Sequence, residues 1–386
     1  MRVLIDYRPA LRDRSGVGEY THQLVKALAD TYGTNGTRSP DRSLELTIFS
    51  SSWKDRLVDA GDLGPVRIVD RRVPVRVLNF TWHRLGWPPA ETLARGRFDV
   101  AHSSHPLILP ARDAAHLITI HDLNFLAHPE RTRAEIRRDY PALVHAHARR
   151  ADCVLVPSTF TAGEVERQLG VARDRIAICP VGAPAWQPRP QPSKDGYVLF
   201  VGTLEPRKNL GGLLDAYERL LSGEPSRASA EANVPPLVIA GKATGESRVW
   251  LDRLERPPLA GVARHIGYVD PSRRRELYAG ARIIVQPSFD EGFGIPALEA
   301  MTLGVPVVAA RRGALPEVLG DAGLLIDPDK PDEIADAIAR LLNDDQLAAR
   351  CIAAGLKRSR QFRWETTATL VYEAYRRAIE VHAHRR

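Results

Sequence analysis

Ile283-Ile-Val-Gln-Pro-Ser-Phe-Asp-Glu291-Gly-Phe-Gly-Ile-Pro-Ala-Leu-Glu299-Ala-Met301 is the stretch that decides the fold. It opens with a short apolar run, 283–287, which is typical of a strand buried on both faces. Gly292 and Gly294 then allow a tight turn and a close approach of the backbone to a ligand. Pro296 and the helix-forming residues after it predict that a helix begins there. The stretch is therefore one strand–turn–helix unit of a parallel α/β sheet.

Short apolar runs alternate with helical patterns in both directions from this unit. The runs lie at 3–7, 44–49, 66–69, 99–102, 117–121, 153–157 and 176–180, and then at 197–202, 237–241, 265–269, 283–287, 305–309 and 324–327. Buried strands that alternate with helices predict parallel sheets covered on both faces. We therefore predict an α/β protein of two Rossmann-like, doubly wound domains.

The two series are separated by a Pro-rich stretch at 181–192, which resists both helix and sheet. We predict a first domain over 1–182, a linker over 183–192 and a second domain over 193–364. A chain of 386 residues also exceeds the roughly 250–300 residues that one core supports. Because parallel sheets bind ligands beyond the carboxyl ends of their strands, we expect a cleft at the junction.

Composition narrows the class of protein. Hydrophobic residues at 44% and charged residues at 26% describe a soluble globular chain. A charge at Asp6 and the lack of an apolar run of about 18 residues argue against a signal peptide and a spanning helix, so we expect a cytoplasmic protein. Cys153, Cys179 and Cys351 match neither a zinc site nor a disulfide framework and are interpreted as small buried hydrophobes.

The net charge of +7 and the pI near 9.4 fit a nucleic acid, an anionic membrane surface or an anionic small substrate. No recognised nucleic-acid motif accompanies the charge, so we expect no nucleic-acid partner. Part of the basicity is also explained by a general Arg-rich composition.

Two carboxylates flank the glycine turn of the opening stretch. A helix N-terminus carries partial positive charge and unpaired N–H groups, which suit a diphosphate. Glu299, one turn into the helix, can accept hydrogen bonds from a ribose diol, and Glu291 from sugar hydroxyls. The alternative is that Glu291 interacts only with the helix dipole and Glu299 is a solvated helix residue.

Adjacent cations follow the strand at 197–202, in the run Gly202-Thr203-Leu-Glu-Pro-Arg207-Lys208-Asn. Arg offers a planar fork to phosphate oxygens and Lys a mobile point charge, so the pair can neutralise a leaving diphosphate. The alternative is two solvated side chains in a loop.

Two further motifs lie in the first domain. Gly16 and Gly18 follow the first strand and precede a helix predicted at 21–28, so a glycine loop can close over a diphosphate or a donor sugar; the alternative is a flexible loop with a helix cap. His121, with Asp122, ends the run 117–121, where it can donate to a sugar hydroxyl or move a proton; the alternative is a structural histidine.

These motifs together resemble the family-4 retaining glycosyltransferases of the GT-B fold. The resemblance rests on Glu291 and Glu299 with seven residues between them, Glu-Pro-Arg207-Lys208-Asn, the strand-end His121, the early Gly-Val-Gly loop, and Gly313-Ala-Leu-Pro-Glu317-Val. It extends from residue 1 to about 380. It implies an enzyme, a hexosyltransferase that uses a nucleotide-diphosphate-sugar as donor substrate.

The resemblance also implies residue roles. Arg207 and Lys208 would bind the donor diphosphate, Glu291 the sugar and Glu299 the ribose. Other donor contacts would come from Gly16, Gly18, Gly202, Thr203, Ser288, Gly292, Phe293, Gly294 and Ile295, with Tyr268 and Val269 against the base. His121, Glu291, Arg207 and Lys208 would serve catalysis, and the final residues 365–386 would cross back onto the first domain.

The family retains anomeric configuration without a metal, so the resemblance implies no metal or other cofactor. Asp327-Pro-Asp329 is the one Asp-x-Asp that we considered as a metal motif. It precedes a helix predicted at 331–342, where Asp residues cap the helix and complement its dipole, and is interpreted as structural.

The acceptor is less constrained than the donor. Basic and aromatic residues mix over 71–87, and 131–138 adds positive charge, which suits a lipid-linked acceptor and peripheral contact with the anionic inner membrane; the alternative is an ordinary basic surface. The run Thr119-Ile-His-Asp-Leu-Asn124 resembles bacterial mannosyltransferases and favours mannose from GDP-mannose. A UDP-sugar-dependent transferase for glucose or N-acetylglucosamine, and a non-catalytic nucleotide-sugar-binding protein, stay open.

Overall fold

Parallel strands with buried side chains form the centre of each half of the chain. The computed structural model describes residues 1–11, 16–33, 43–57, 61–127, 134–223 and 234–385. Within it the chain forms two compact units. The first comprises Met1–Gly182 and Arg363–Arg386, and the second comprises Ala183–Phe362.

The first unit contains a seven-stranded sheet in the order β3-β2-β1-β4-β5-β6-β7, and every neighbouring pair is parallel. Its strands are β1 (Arg2–Asp6), β2 (Glu45–Ser51), β3 (Arg67–Arg71), β4 (Val100–Ser103), β5 (Ala115–Thr119), β6 (Cys153–Val156) and β7 (Ile176–Ile178). The chain adds strands outward from β1 to β3 and then returns to the other side of β1. The strand order therefore reverses between β1 and β4.

The second unit repeats this plan with six parallel strands in the order β10-β9-β8-β11-β12-β13. They are β8 (Tyr197–Val201), β9 (Leu237–Ala240), β10 (Ala263–His265), β11 (Ala281–Gln286), β12 (Val307–Ala310) and β13 (Leu324–Ile326). The order here reverses between β8 and β11.

The helices of the described chain cover the two sheets. They are α1 (Val17–Tyr32), α2 (Val75–Phe80), α3 (Ala90–Ala94), α4 (Asn124–Ala127), α5 (Ala134–Arg150), α6 (Thr159–Leu169), α7 (Leu210–Ser222), α8 (Arg248–Leu254), α9 (Pro271–Ala279), α10 (Ile295–Leu303), α11 (Leu315–Leu319), α12 (Pro331–Asn343), α13 (Asp345–Ser359) and α14 (Trp364–Arg385). None of these helices has both the length and the apolar character needed to cross a membrane.

The predicted fold class is confirmed, and each of the thirteen apolar runs overlaps a strand. Two boundaries were wrong in a way that matters for the site. The run 265–269 is mostly not strand: β10 ends at His265, and Gly267 turns the chain with φ 73°. The first helix begins at Val17 and not at residue 21, so Gly18 is a helical residue.

The last helix, α14, packs within the first unit. Tyr372 stacks on Tyr32 of α1 with ring centroids 4.4 Å apart, and the Thr367 hydroxyl donates to the Pro180 carbonyl at 2.6 Å. A Cβ at Gly182 would lie 2.4 Å from the Trp364 ring. The end of the chain is thus part of the first core.

The Pro-rich stretch that the sequence predicts as a linker lies against the second unit. The Arg189 amide donates to the Leu303 carbonyl at 3.2 Å, and its guanidinium donates to the Ala281 carbonyl at 2.5 Å. The Trp186 ring lies 5.9 Å from that of Tyr278. The chain segment after Gly182 is therefore fixed by hydrogen bonds as well as by its prolines.

Close packing of two loops in the second unit yields a test of the fold. Gly241 has φ 146°, and a Cβ there would lie 1.8 Å from the Gly202 carbonyl oxygen, whereas a Cβ at Gly245 meets nothing within 4 Å. We expect Gly241→Ala to lower the free energy of unfolding by about 2–4 kcal/mol, from overpacking and backbone strain. Gly245→Ala is the matched control, and equal thermal unfolding midpoints for the two variants would contradict the prediction.

Candidate functional site

The loops after β8 and β11 form the candidate site of the second unit. These strands are neighbours at the point where the strand order reverses. In open parallel sheets, ligands bind beyond the carboxyl ends of the strands at such a reversal. The loop after β8 carries Arg207 and Lys208, and the loop after β11 carries Glu291.

A buried ion pair joins the two loops. Lys208 Nζ lies 2.5 Å from Glu291 Oε1, and the side chains are only 12% and 8% exposed. Gln286 Nε2 and Ser288 Oγ donate to the same oxygen at 2.8 Å each, and Arg207 Nη1 lies 3.7 Å from Oε2. The alternative that Lys208 is a solvated loop residue is therefore wrong.

Charge interactions keep Glu291 ionised at neutral pH. Burial alone would raise the pKa of Glu291, but Lys208 and Arg207 lower it to about 2. Burial and the neighbouring Arg207 lower the pKa of Lys208, while Glu291 opposes that shift. The site thus presents a desolvated cation next to a carboxylate, where charge interactions are stronger than in water.

Asn209 shapes the turn that carries the two cations. It adopts the left-handed conformation, φ 55°, at the N-cap of α7, and its side chain accepts from the Gly212 amide. Its amide nitrogen donates to the carbonyls of Pro287 and Pro328 at 3.1 and 2.7 Å. The Phe289 amide also donates to the Arg207 carbonyl at 2.8 Å. Asn209 was quoted in the sequence motif, but its structural role was not foreseen.

The N-terminus of α10 offers fewer amides than the sequence suggested. Gly294 has φ 114° before the first helical residue, Ile295, and Pro296 has no N–H. The Ala297 amide donates to Gln286 Oε1 at 3.1 Å. The sequence analysis missed Gln286, although a polar side chain in an otherwise apolar run was a signal that could have identified it. Gln286 links the helix start to Glu291.

Glu299 lies on α10 and is 4% exposed. Its Oε1 lies 3.3 Å from Arg274 Nε on α9, and burial together with Glu299 raises the pKa of Tyr278 well above its usual range. The solvated alternative for Glu299 is therefore wrong. Arg274 and Tyr278 were both missed, since their contact with Glu299 depends on how α9 packs against α10.

The other predicted donor residues of the second unit lie in or next to the loops after β8, β10 and β11. Gly202 and Thr203 follow β8, and a Cβ at Gly202 would contact the Lys208 side chain at 3.6 Å. Gly292 follows Glu291, and Phe293 is buried with its ring 5.7 Å from Phe362. Tyr268 and Val269 follow β10, and Lys242 Nζ lies 5.0 Å over the Tyr268 ring.

A second strand–turn–helix unit supports the first. Gly313, before α11, has φ 61°, and a Cβ there would lie 2.6 Å from the Glu291 carbonyl oxygen. The Ala314 amide donates to that oxygen at 2.9 Å. Only glycine permits this approach without strain. The backbone of Glu291 is thus also held by the loop before α11.

The predicted residues of the first unit, Gly16, Gly18 and His121, do not all lie as expected. Gly16 has φ 54° and precedes α1, but Gly18 is a buried residue of the first helical turn. His121 follows β5 by two residues, directly after Ile120, whose amide still donates to the Leu155 carbonyl of β6 at 2.9 Å. Its ring meets Tyr20 of α1 edge-on at 4.7 Å.

The hydrogen bonding of His121 restricts its chemistry. Its Nε2 lies 3.2 Å from the Ser104 carbonyl oxygen, which can only accept, so we assign the proton to Nε2. Burial lowers the pKa of His121 to about 4, so the ring is neutral at pH 7. Nδ1 is then an acceptor, and the expected donation to a sugar hydroxyl does not fit this tautomer.

Two groups bear on metal binding. Asp327 and Asp329 pair with Arg312, and Lys330 occupies the N-cap position of α12 without a side-chain cap, so the two Asp residues do not cap the helix. Among the described residues, His116, Asp152 and His382 form the one cluster with metal-ligand spacing. Asp152 already accepts from the His116 amide and from Arg385, and the cluster attaches α14 to the first sheet.

Comparisons with known proteins agree on one family. The profile for "Glycosyl transferases group 1" matches residues 186–358, and that for "Glycosyltransferase Family 4" matches residues 14–185. The chain is 32% identical over 398 residues to O-antigen chain mannosyltransferase B of Escherichia coli, covering 97% of this chain and 100% of the relative. It is 30% identical over 418 residues to D-inositol 3-phosphate glycosyltransferase of Acidothermus cellulolyticus, covering 96% and 87%.

A solved structure shares the fold. Sucrose-phosphate synthase from Thermosynechococcus elongatus superposes with a TM-score of 0.76 at 20% identity, covering 97% of this chain and 98% of that one.

The buried pair predicts a pH dependence of stability. The folded pKa of Glu291, about 2, lies below its usual 4.5, so the carboxylate contributes stability above pH 4.5 that is lost as the pH falls toward 2. The shift corresponds to about 3 kcal/mol. We expect wild type to lose more unfolding free energy than Glu291→Gln between about pH 5 and about pH 3 in urea titrations. Equal losses of unfolding free energy in wild type and Glu291→Gln would show that Glu291 is not held as a buried carboxylate.

Proposed function

Because the chain belongs to the group 1 and family 4 glycosyltransferases, we propose that it transfers mannose from GDP-mannose to a glycan or lipid-linked acceptor. It is a glycosyltransferase of the hexosyl-transferring type with the GT-B fold. The proposal of mannose is supported by the full-length relative, which is named an O-antigen chain mannosyltransferase. Assembly of a surface polysaccharide or glycolipid is the process that we propose it serves.

The observation that carries the proposal is the buried Lys208–Glu291 pair with Arg207 beside it. In the proposed complex, the two cations bind the donor diphosphate and stabilise its developing charge as it leaves. Glu291 accepts from a sugar hydroxyl and Glu299 from the ribose. The remaining donor contacts come from Gly16, Gly18, Gly202, Thr203, Ser288, the turn 292–295, Tyr268 and Val269.

We further propose that transfer retains the anomeric configuration and needs no metal. In a front-face route, the acceptor hydroxyl attacks as the nucleotide diphosphate departs, and the leaving phosphate accepts the proton. This route needs no enzymic base, and the pKa of His121, lowered by burial to about 4, makes its ring a weak base. His121 Nδ1 then accepts a hydrogen bond from a hydroxyl in the site. Undiminished turnover in EDTA is the expected result.

Two alternatives share the site. A UDP-sugar donor carrying glucose or N-acetylglucosamine would use the same diphosphate and ribose contacts. A non-catalytic nucleotide-sugar-binding protein would bind the donor without turnover. Hydrolysis of the donor in the absence of acceptor separates this last alternative from an enzyme.

Ligand-induced thermal shifts test the donor site. GDP-mannose, UDP-glucose, UDP-N-acetylglucosamine, GDP and UDP are compared, since a ligand that binds only the folded state raises its stability by mass action. We expect the largest shift with GDP-mannose, and its reduction in Lys208→Ala and Glu299→Ala. Lys330→Ala and Glu255→Ala change exposed residues of the same types and serve as controls.

The outcomes separate the levels of the proposal. A larger thermal shift with a UDP-sugar than with GDP-mannose would show that the donor is a UDP-sugar and would leave the proposed site unchanged. Unchanged donor affinity in both site variants would show that the donor binds elsewhere. No thermal shift with any of the five ligands would contradict the transferase proposal.

We also propose peripheral contact with the anionic inner face of the cell membrane. Within the segment 71–87, Leu78 and Trp82 are buried. Four large apolar side chains of the same segment are more than half-exposed: Val77, Phe80, Leu85 and Trp87. The segment carries four Arg and no acidic residue, and Arg72, Arg76 and Arg84 are exposed. This combination suits insertion at an anionic lipid surface. Of the other basic segment, 131–138, residues 131–133 lie outside the described residues, and the side chains of 134–138 are not described.

Vesicle sedimentation tests this contact. We expect binding to vesicles that contain phosphatidylglycerol, little binding to pure phosphatidylcholine, and weakening by salt. Phe80→Ser with Trp87→Ser should lower the bound fraction severalfold. Trp53→Ser is the control, because Trp53 is 69% exposed but lies outside the segment. The proposal would be overturned if Trp53→Ser lowered the bound fraction equally, or if binding did not depend on the charge of the vesicles.

A further inference from the structure

A second buried polar cluster lies beyond β1 and β4, where the strand order of the first sheet reverses. We define the β1/β4 cluster as Asp6, Arg8, His83, His105 and His147. Asp6 ends β1, and His105 follows β4 by two residues. The rule that places ligands at such a reversal applies to this sheet as it does to the second. None of the five residues has a part in the donor contacts proposed above.

The charges of the cluster are already paired. Arg8 Nε and Nη2 donate to the two oxygens of Asp6 at 2.8 and 2.6 Å, and Nη1 donates to Asn79 Oδ1 at 2.8 Å. Burial opposes ionisation of Asp6, but Arg8 holds its pKa far below the usual range. The cluster therefore contains a neutralised ion pair and no uncommitted cation.

Two of the three histidines use both ring nitrogens. His105 Nε2 lies 3.2 Å from Asp6 Oδ2, and its Nδ1 accepts from the Leu107 amide at 3.3 Å. His147 Nδ1 accepts from the Ile108 amide at 2.9 Å, and the ring also bonds to the His83 carbonyl. The rings of His105 and His147 therefore have structural hydrogen bonds at both nitrogens.

His83 differs from them. Its side chain is 7% exposed, and neither Nδ1 nor Nε2 has a hydrogen-bond partner in the described part of the chain. It lies in a π-helical turn, Thr81–Leu85, with its ring 5.7 Å from His105 and 6.4 Å from His147. A buried polar group without a partner destabilises a fold, and such a group in a native structure requires an explanation.

We infer that the β1/β4 cluster is a subsite for the acceptor, in which His83 hydrogen-bonds the hydroxyl groups of a neutral sugar. The inference rests on the proposed function and names the part of the acceptor that the first unit recognises. A neutral imidazole offers one donor and one acceptor, which matches a hydroxyl pair. Burial and the nearby His105 lower the pKa of His83 to about 2, so the ring stays neutral.

The same geometry argues against phosphate as the ligand of this subsite. Charged donors make the strongest hydrogen bonds to phosphate, and the fork of Arg8 is already taken by Asp6 and Asn79. Within the cluster, the side chains of His105 and Arg8 are 13% and 8% exposed. His83 also shares its segment with the exposed Leu85 and Trp87, so an acceptor sugar on an apolar carrier would meet both features.

Substitution by phenylalanine separates binding from structure. His83→Phe removes two unpaired nitrogens from the interior, so we expect an unchanged or higher thermal unfolding midpoint. With octyl α-mannoside as acceptor, the KM for this acceptor should rise about tenfold or more, because one or two hydrogen bonds are lost. The change in kcat should be smaller. Donor hydrolysis without acceptor should not change. His147→Phe is the matched control: it breaks satisfied hydrogen bonds and should lower stability.

Ring resonances of His83, assigned by their loss in His83→Phe, give a direct readout. We expect them to shift with methyl α-mannoside and not with inorganic phosphate. No shift with the glycoside, a shift with phosphate, or a lower unfolding midpoint with an unchanged acceptor KM in His83→Phe would overturn the inference. Failure of the proposed function is a separate result, because then wild type would neither bind nor hydrolyse any nucleotide sugar.

Discussion

The buried Lys208–Glu291 ion pair is the interaction on which the candidate site of the second unit depends. Two opposite charges removed from water are tolerated only where their geometry and hydrogen bonds offset the loss of hydration. Here Glu291 Oε1 accepts from Lys208, Gln286 and Ser288. The pair joins loops 83 residues apart in the chain, because β8 and β11 are adjacent in the sheet. Any ligand that approaches this edge meets charges whose positions are already set.

The surrounding structure supports that geometry from several directions. Asn209 holds the cationic turn through the carbonyls of Pro287 and Pro328, and Gly313 allows a neighbouring loop to contact the Glu291 backbone. Gln286 bonds both Glu291 and the first turn of α10. Preorganised groups of this kind stabilise developing charge without rearranging during the reaction. This electrostatic character supports the proposed role of the site in the departure of a nucleotide diphosphate.

The first unit follows the same physical rule with different chemistry. Its strand reversal also carries a paired carboxylate and cation, Asp6 and Arg8, but here the guanidinium is fully occupied. What is left over is a neutral ring, His83. Both reversals therefore carry an ion pair, and the first adds a neutral hydrogen-bonding ring, which fits the proposed charged donor and sugar acceptor.

The sequence by itself determined the two parallel sheets and their series of strands, because buried strands require apolar runs that can be read without any partner. It also identified Arg207, Lys208, Glu291 and Glu299, since glycines and charges at a strand-to-helix turn form a local pattern. Only the tertiary structure decided which side chains meet: Gln286 and Ser288 contact Glu291, and Arg274 contacts Glu299. It also leaves the His83 ring without a hydrogen-bond partner among the described residues. These relations arise between elements distant in the chain, and local spacing carries no information about them.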